Sequence, residues 1–97
     1  MYGTVVTPVA PHAPTGLSAI SQNARVTLYW SGSSGATNYI VKRGSVSGGP
    51  YTPIGTTTGL AYTDTNVVNF QTYYYVVSAV NVAGEGANSK QASAVAR

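Results

Sequence analysis

The stretch of sequence that decides the fold is Thr72–Asn81, which reads TYYYVVSAVN and is followed at residues 82–86 by VAGEG. Aromatic and β-branched side chains favour strands, and the glycines after them are typical of a loop, so the pattern predicts one long strand. Both phases of its two-residue period are hydrophobic. One face of the strand is therefore expected to pack in a core, and the other to be covered or used for binding.

The length and composition of the whole chain predict a single domain with one hydrophobic core. The chain has 97 residues, of which 43% are hydrophobic, and a domain of this size buries about two-thirds of its unfolded surface. It contains no cysteine, which excludes disulfide bonds and thiolate metal sites. No window approaches the roughly 18 apolar residues of a membrane span. The N-terminus lacks a signal-peptide pattern, and Met1 is expected to begin a piece of a longer protein.

The charged residues give no sign of nucleic-acid binding. The formal net charge is +3 at pH 7, and the basic residues do not form the clustered stripe that binding to phosphates requires. The five basic residues are Arg25, Lys42, Arg43, Lys90 and Arg97. We therefore expect no nucleic-acid partner.

Turn residues divide the rest of the chain into short strands, and no stretch has the 3.6-residue hydrophobic period of a helix. Residues 1–13 are predicted to be a Pro-rich lead-in or linker, and residues 14–97 to form the domain. Pro53 marks its strand as an edge strand, because proline cannot donate a hydrogen bond to a neighbouring strand. Strands are predicted at residues 16–21, 25–31, 38–43, 51–56, 61–64, 72–81 and 89–96. Their spacing predicts an all-β, seven-stranded antiparallel sandwich.

The order of landmark residues in these strands resembles that of a fibronectin type III domain over residues 11–95. The landmarks are Pro14, Leu17, Trp30, Tyr39, Val41, Tyr62, Asp64, Tyr73, Val77, Ala79, Asn81 and Gly84. The resemblance implies an immunoglobulin-like topology with Trp30 at the centre of the core. It also implies that Tyr73 makes a corner hydrogen bond that ties down the loop before its strand. Strand alternation adds Tyr39 to the same core face.

Two segments are similar to the fibronectin-type modules of secreted bacterial polysaccharide-degrading enzymes. These segments are SGGPY at residues 47–51 and YTDT at residues 62–65. This similarity implies an extracellular, non-catalytic accessory module without a cofactor, whose partners are neighbouring domains of the same polypeptide. Phe70 departs from the family, which commonly has glycine there, and this leaves open the geometry of its loop.

The inventory of acids and bases argues against catalysis. Glycoside hydrolysis usually needs two carboxyl groups about 5 to 9.5 Å apart. The chain has only Asp64 and Glu85, and the predicted topology places them at opposite ends of a strand, roughly 30 Å apart. His12 lies in the lead-in, away from any orienting acid. Gly84-Glu85-Gly86 is predicted to be a hairpin tip rather than a phosphate-binding loop, because no helix follows it. We therefore predict no catalytic, metal or cofactor site.

The remaining candidate for binding is a surface that contains tyrosine. Alternation points Tyr74 and Val76 outward from their strand, and the adjacent strand adds Ile40 and Lys42 to the same side. We call these four residues the Tyr74 face. It could bind polysaccharide or a protein, or it could be an ordinary surface, since three apolar side chains expose an area that is normal for a monomer. Tyr29 and Tyr51 are expected to be solitary surface tyrosines.

The sequence therefore favours a monomeric module that spaces and orients neighbouring domains in a larger secreted carbohydrate-active enzyme. The alternative is a polysaccharide-binding or adhesive module that uses the Tyr74 face.

Overall fold

The computed structural model describes residues 8–97, which form an all-β sandwich of two antiparallel sheets. No helix in this described part is long and apolar enough to cross a membrane. The strands are β1 (Thr15–Gln22), β2 (Arg25–Ser31), β3 (Asn38–Gly44), β4 (Thr52–Thr57), β5 (Ala61–Asp64), β6 (Thr72–Asn81), β7 (Gly84–Asn88) and β8 (Ala92–Val95). The predicted fold class is confirmed, with eight strands instead of seven.

The two sheets have the strand orders that an immunoglobulin-like sandwich requires. One sheet has three strands in the order β1-β2-β5, and the other has five strands, in which β4-β3-β6-β7 follow one another and β8 also pairs with β6. The long strand β6 is thus flanked on both sides. β4, which contains Pro53, pairs only with β3 and is an edge strand.

The prediction of one last strand at residues 89–96 is wrong. Two separate strands, β7 and β8, pair with β6 in this region. β7 pairs with the C-terminal half of β6, and β8 pairs with its N-terminal half. Ser89 interrupts the pairing between them. Its backbone N–H donates to the Val77 carbonyl at 2.8 Å, but its hydroxyl accepts from the Val77 N–H at 3.0 Å in place of a backbone carbonyl. The predicted hairpin tip at Gly84–Gly86 lies within β7, and the turn itself is at Val82 and Ala83.

The core fills the space between the two sheets. Its buried hydrophobic residues are Val26, Leu28, Trp30, Tyr39, Val41, Tyr73, Tyr75, Val77, Ala79, Ala94 and Ala96. Trp30 packs edge-on against Tyr39, with ring centroids 5.7 Å apart and an interplanar angle of 61°. Such edge-to-face pairs are favoured by the aromatic quadrupole. Within the described residues the buried Trp30 Nε1 has no hydrogen-bond partner.

The Tyr73 hydroxyl lies at the end of the sandwich where the C-terminal residues Ala96 and Arg97 are also found. It accepts a hydrogen bond from the Val68 N–H at 2.8 Å, in the loop between β5 and β6. The guanidinium carbon of Arg43 lies 5.3 Å from the centre of the Tyr73 ring, a distance at which a cation is attracted to an aromatic face. These contacts hold the loop against the core.

The described part of the Pro-rich lead-in lies against the sandwich. Asn81 Nδ2 donates to the Val9 carbonyl at 2.8 Å, and Pro11 is buried. The Pro11 carbonyl oxygen would lie 2.0 Å from a Cβ atom at residue 86, so its approach requires Gly86. Residues 1–7 of the predicted lead-in lie outside the described residues, and the domain boundary at residue 14 stays a prediction.

Candidate functional site

The four residues of the Tyr74 face come together on the outer side of the five-stranded sheet. Lys42 on β3 pairs with Val76 on β6, Ile40 pairs with Ser78, and Tyr74 pairs with Gly44. The four residues therefore lie on the side of the sheet that strand alternation predicts. Whether it binds anything depends on how much of it solvent can reach.

Val76 was expected to be exposed on this face, and that expectation is wrong. Its exposed fraction is 2%, and Ser78, its neighbour on the same face of β6, is fully buried. Tyr74, Ile40 and Lys42 are half-buried. The strand that carries Val76 has neighbours on both sides, and the side chain of one neighbouring residue extends across this strand. The accessible part of the face is thus smaller than the sequence suggested.

The crossing side chain is Lys42, which runs from β3 over β6 to β7. Lys42 Nζ lies 2.5 Å from Glu85 Oε2 and donates to Asn88 Oδ1 at 2.7 Å. Ser78 Oγ donates to the same Glu85 oxygen at 2.6 Å. The hydrogen bonds from Lys42 and then from Ser78 hold the pKa of Glu85 below its ordinary value. We call this arrangement the Lys42–Glu85 clasp.

The second carboxylate, Asp64, is buried between the sheets and is fully engaged there. Arg43 Nη1 lies 2.9 Å and 3.2 Å from its two oxygens, the Tyr75 hydroxyl donates to it at 2.7 Å, and the Asn66 N–H donates at 3.1 Å. Burial, followed by the hydrogen bond to Asp64, raises the pKa of Tyr75 above its ordinary value. Loss of either partner of such a buried ion pair would leave an uncompensated charge, so the role of Asp64 is structural.

The arrangement of acids offers no pair for acid–base chemistry. Asp64 faces the interior, whereas Glu85 lies in β7 on the outside of the five-stranded sheet, rather than on a loop as predicted. His12 is exposed in the lead-in. Among the described residues, no three His, Cys, Asp or Glu side chains lie close enough together to hold a metal ion.

Clefts on the surface of residues 8–97 include two that gather no set of reactive groups. One, of about 340 Å³, is lined by residues 13–17, Asn88 and Lys90. The other, of about 410 Å³, lies at the opposite end and includes Arg43 and Tyr73, which are already engaged with Asp64 and Val68. Each lining includes one titratable cation and no carboxylate.

A second surface, on the outer side of the three-stranded sheet, was not picked out from the sequence. Tyr29 lies there with an exposed fraction of 51%, on the central strand β2. The alternation in Arg25–Ser31 does indicate that Tyr29 points outward. What alternation alone cannot give is the pairing that sets its neighbours, which are Ser18 on β1 and Ala61 on β5.

Comparison with known proteins gives relatives in sequence and in structure. No family model matches the chain. The chain is 46% identical over 76 residues to an amylopullulanase of Thermoanaerobacterium saccharolyticum, and 41% identical over 87 residues to one of Thermoanaerobacter thermohydrosulfuricus. These matches cover 77% and 88% of this chain but only 6% of each relative.

Among solved structures, a Fn3-like protein from Clostridium thermocellum matches with a TM-score of 0.83 and 48% sequence identity. The match covers 88% of this chain and 92% of that one. The identity thus extends over nearly the whole length of both chains. The chain belongs to the fibronectin type III family.

Proposed function

We propose that the chain is a non-catalytic module that spaces and orients neighbouring domains in a larger secreted carbohydrate-active enzyme. The observation that carries this proposal is the path of the chain. Thr15 at the start of β1 pairs with Ser31 at one end of the sandwich, and the Arg97 N–H donates to the Gln22 carbonyl at the other. The eight residues of β1 separate these ends by about 26 Å at roughly 3.3 Å per residue.

Both ends of the described chain are fastened to the sandwich, which favours a stiff spacer over a flexible one. At the entry, Val9 is held by Asn81. At the exit, the Ala96 carbonyl accepts from the Phe70 N–H at 2.7 Å, one residue before Arg97. A domain attached at either end would therefore inherit a defined direction.

The relatives support the proposed setting. The segments that match this chain are small parts of proteins named amylopullulanases. By analogy, we assign the partners of this chain to domains of the same polypeptide, its location to the cell exterior, and any hydrolysis to a neighbour. We expect the isolated chain to be a monomer without activity on polysaccharides.

Spin labels at the two ends test the spacer role. The chain has no cysteine, so cysteines introduced at Val9 and Arg97 can be labelled selectively. Pulsed electron–electron double resonance should give one narrow distribution of distances between the two labels. Adding Asn81→Ala, which removes the side chain that holds Val9, should broaden it. A broad distribution in the doubly labelled parent would contradict the stiff spacer.

The alternative, binding through the Tyr74 face, is less favoured because Val76 is buried and Lys42 is engaged in the Lys42–Glu85 clasp. It is tested by retention on insoluble cellulose, chitin and xylan. Retention that disappears in Tyr74→Ala, while Tyr29→Ala is still retained, would support binding at this face.

A further inference from the structure

The outer side of the three-stranded sheet forms a flat surface built of two cross-strand rows. In one row, Tyr29 lies between Ser18 and Ala61. In the next, Thr27 lies between Ile20 and Thr63. We call these six residues the Tyr29 platform. Strands in a sheet lie about 4.8 Å apart, so the platform is roughly 10 Å wide.

The ring of Tyr29 is accessible because its direct neighbours across the strands and along β2 are small, and the large side chain on the platform, Ile20, lies diagonal to it. Its cross-strand neighbours are Ser18 and Ala61, and the residues two positions away on its own strand are Thr27 and Ser31. None of them is long enough to cover an aromatic ring. This contrasts with the other sheet, where the side chain of Lys42 crosses β6 and Val76 is buried.

The chemistry around the ring is hydroxyl-rich and uncharged. Ser18, Thr27 and Thr63 place three hydroxyl groups on the platform. The Thr27 hydroxyl also donates to Gln22 Oε1 at 2.7 Å. The only charged side chain on this side of the three strands is Arg25, at the start of β2. A surface of this kind complements a neutral ligand that has both a C–H face and hydroxyl groups.

We propose that the Tyr29 platform binds a neutral polysaccharide. A pyranose ring stacks its C–H face on Tyr29, and sugar hydroxyls exchange hydrogen bonds with Ser18, Thr27 and Thr63. Aromatic side chains with a polar tip suit such half-wet contacts, and a few polar groups fix the orientation of the ligand. This proposal goes beyond the spacer role, which needs no ligand.

Titration of the whole chain with oligosaccharides, followed by amide NMR, tests the proposal. The probes are maltoheptaose for α-linked glucans and cellohexaose for β-linked glucans. With one aromatic ring in contact, we expect a dissociation constant of about 1 mM for the preferred probe. The amide signals that shift should belong to residues 18–20, 27–31 and 61–63, and those of β6 should stay in place.

Variants at position 29 separate ring stacking from general effects. Tyr29→Ala should weaken binding about fivefold, the size expected if stacking contributes as much as a typical aromatic contact. Tyr29→Phe keeps the ring and should bind within about twofold of the parent. Tyr74→Ala and Phe70→Ala remove other aromatic side chains and should bind like the parent. The NMR spectrum of each variant reports at once whether it is folded.

Several outcomes would overturn the proposal. They are no shift with either probe at about tenfold the expected dissociation constant, shifts confined to β6 and β3, or unchanged binding by Tyr29→Ala. Concentration-dependent sedimentation of the parent that Tyr29→Ala abolishes would show instead that the platform contacts a second copy. None of these results bears on the distance measurement, so the spacer role can fail or stand separately.

Discussion

Phe70 keeps a glycine-like backbone although it carries a large side chain. Its φ angle is +69°, and its exposed fraction is 83%, so the ring gains little from burial. An L-residue in the left-handed region costs roughly 1–2 kcal/mol. The sequence raised the question of how Phe70 would change the loop where related modules have glycine. The answer is that Phe70 itself adopts the left-handed conformation that glycine favours, and its N–H donates to the Ala96 carbonyl.

Replacing Phe70 by glycine should therefore stabilise the domain. Relief of the backbone strain is partly offset by the greater freedom of glycine in the unfolded chain, which leaves a net gain of about 0.5–1 kcal/mol in the free energy of unfolding. Urea denaturation followed by the fluorescence of Trp30 measures this. Phe70→Ala is the matched control, since it removes the ring and keeps the strain. If both variants gained equally in the free energy of unfolding, the cause would be removal of the exposed ring and not relief of the backbone strain.

At the scale of elements, β7 and the lead-in depend on each other through Gly86. A methyl group at this position would lie 2.0 Å from the Pro11 carbonyl oxygen and 3.6 Å from that of Ala79. Gly86→Ala should therefore displace the lead-in and lower the free energy of unfolding by about 1–3 kcal/mol, the usual cost of overpacking.

Gly59→Ala serves as the control for that change, because a Cβ there meets only Thr57 Oγ1 at 3.6 Å. Limited proteolysis should cut residues 8–14 faster in Gly86→Ala than in the control. Equal stability and equal cleavage in the two variants would mean that the lead-in does not pack on β7 in solution.

The Lys42–Glu85 clasp should make a small, pH-dependent contribution to stability. The pKa of Glu85 is lowered in the folded protein by Lys42 and Ser78, and in the unfolded chain it returns to about 4.3. Above that pH, ionised Glu85 therefore adds to the free energy of unfolding. This contribution is lost as the pH falls through the lower pKa of Glu85 in the folded protein. The difference in unfolding free energy between the parent and Glu85→Gln should shrink on acidification from neutral pH to below about pH 4.

The other carboxyl groups are common to the two proteins in that comparison, so their effects cancel. Because the clasp is partly exposed to solvent, added salt should reduce the difference at neutral pH. A difference that is constant with pH would show that the charge of Glu85 has no part in the clasp.

How far the elements could be predicted depends on whether their signal is local. β2, β5 and β6 begin and end at the predicted residues, because aromatic and β-branched residues alternate up to clear turn signals. β7 was missed because GEGAN has the composition of a loop. It is a strand only because the preceding strand β6 offers it hydrogen bonds, and the composition of the segment itself does not record that partner. The reach of Lys42 from β3 to β7 was missed for the same reason, since it joins side chains of different strands.

At the scale of the whole molecule, the fold was predictable and the surface was only partly so. Trp30, Tyr39 and Tyr75 lie in the core as alternation requires, because burial of large apolar side chains is the main driving force for folding. The faces that remain open are decided by which polar side chains reach across them. No pattern within a single strand contains that information, which is why Tyr29 was passed over in favour of Tyr74.

The centre of the core gives the most severe test of the fold as one cooperative unit. Trp30 is 5% exposed and packs on Tyr39, and truncation of a buried Trp costs about 3–5 kcal/mol. A domain of this size has a total stability of about 5–15 kcal/mol, so Trp30→Ala should leave little of it. Trp30 is the one tryptophan in the chain, so the variant has no tryptophan fluorescence to follow. Its unfolding in urea is measured by far-UV circular dichroism instead. Tyr29→Ala, one position away but exposed, should lose less than about 1 kcal/mol. If Trp30→Ala lost as little, the core would not be organised around Trp30, and the energetic role assigned to it would be wrong.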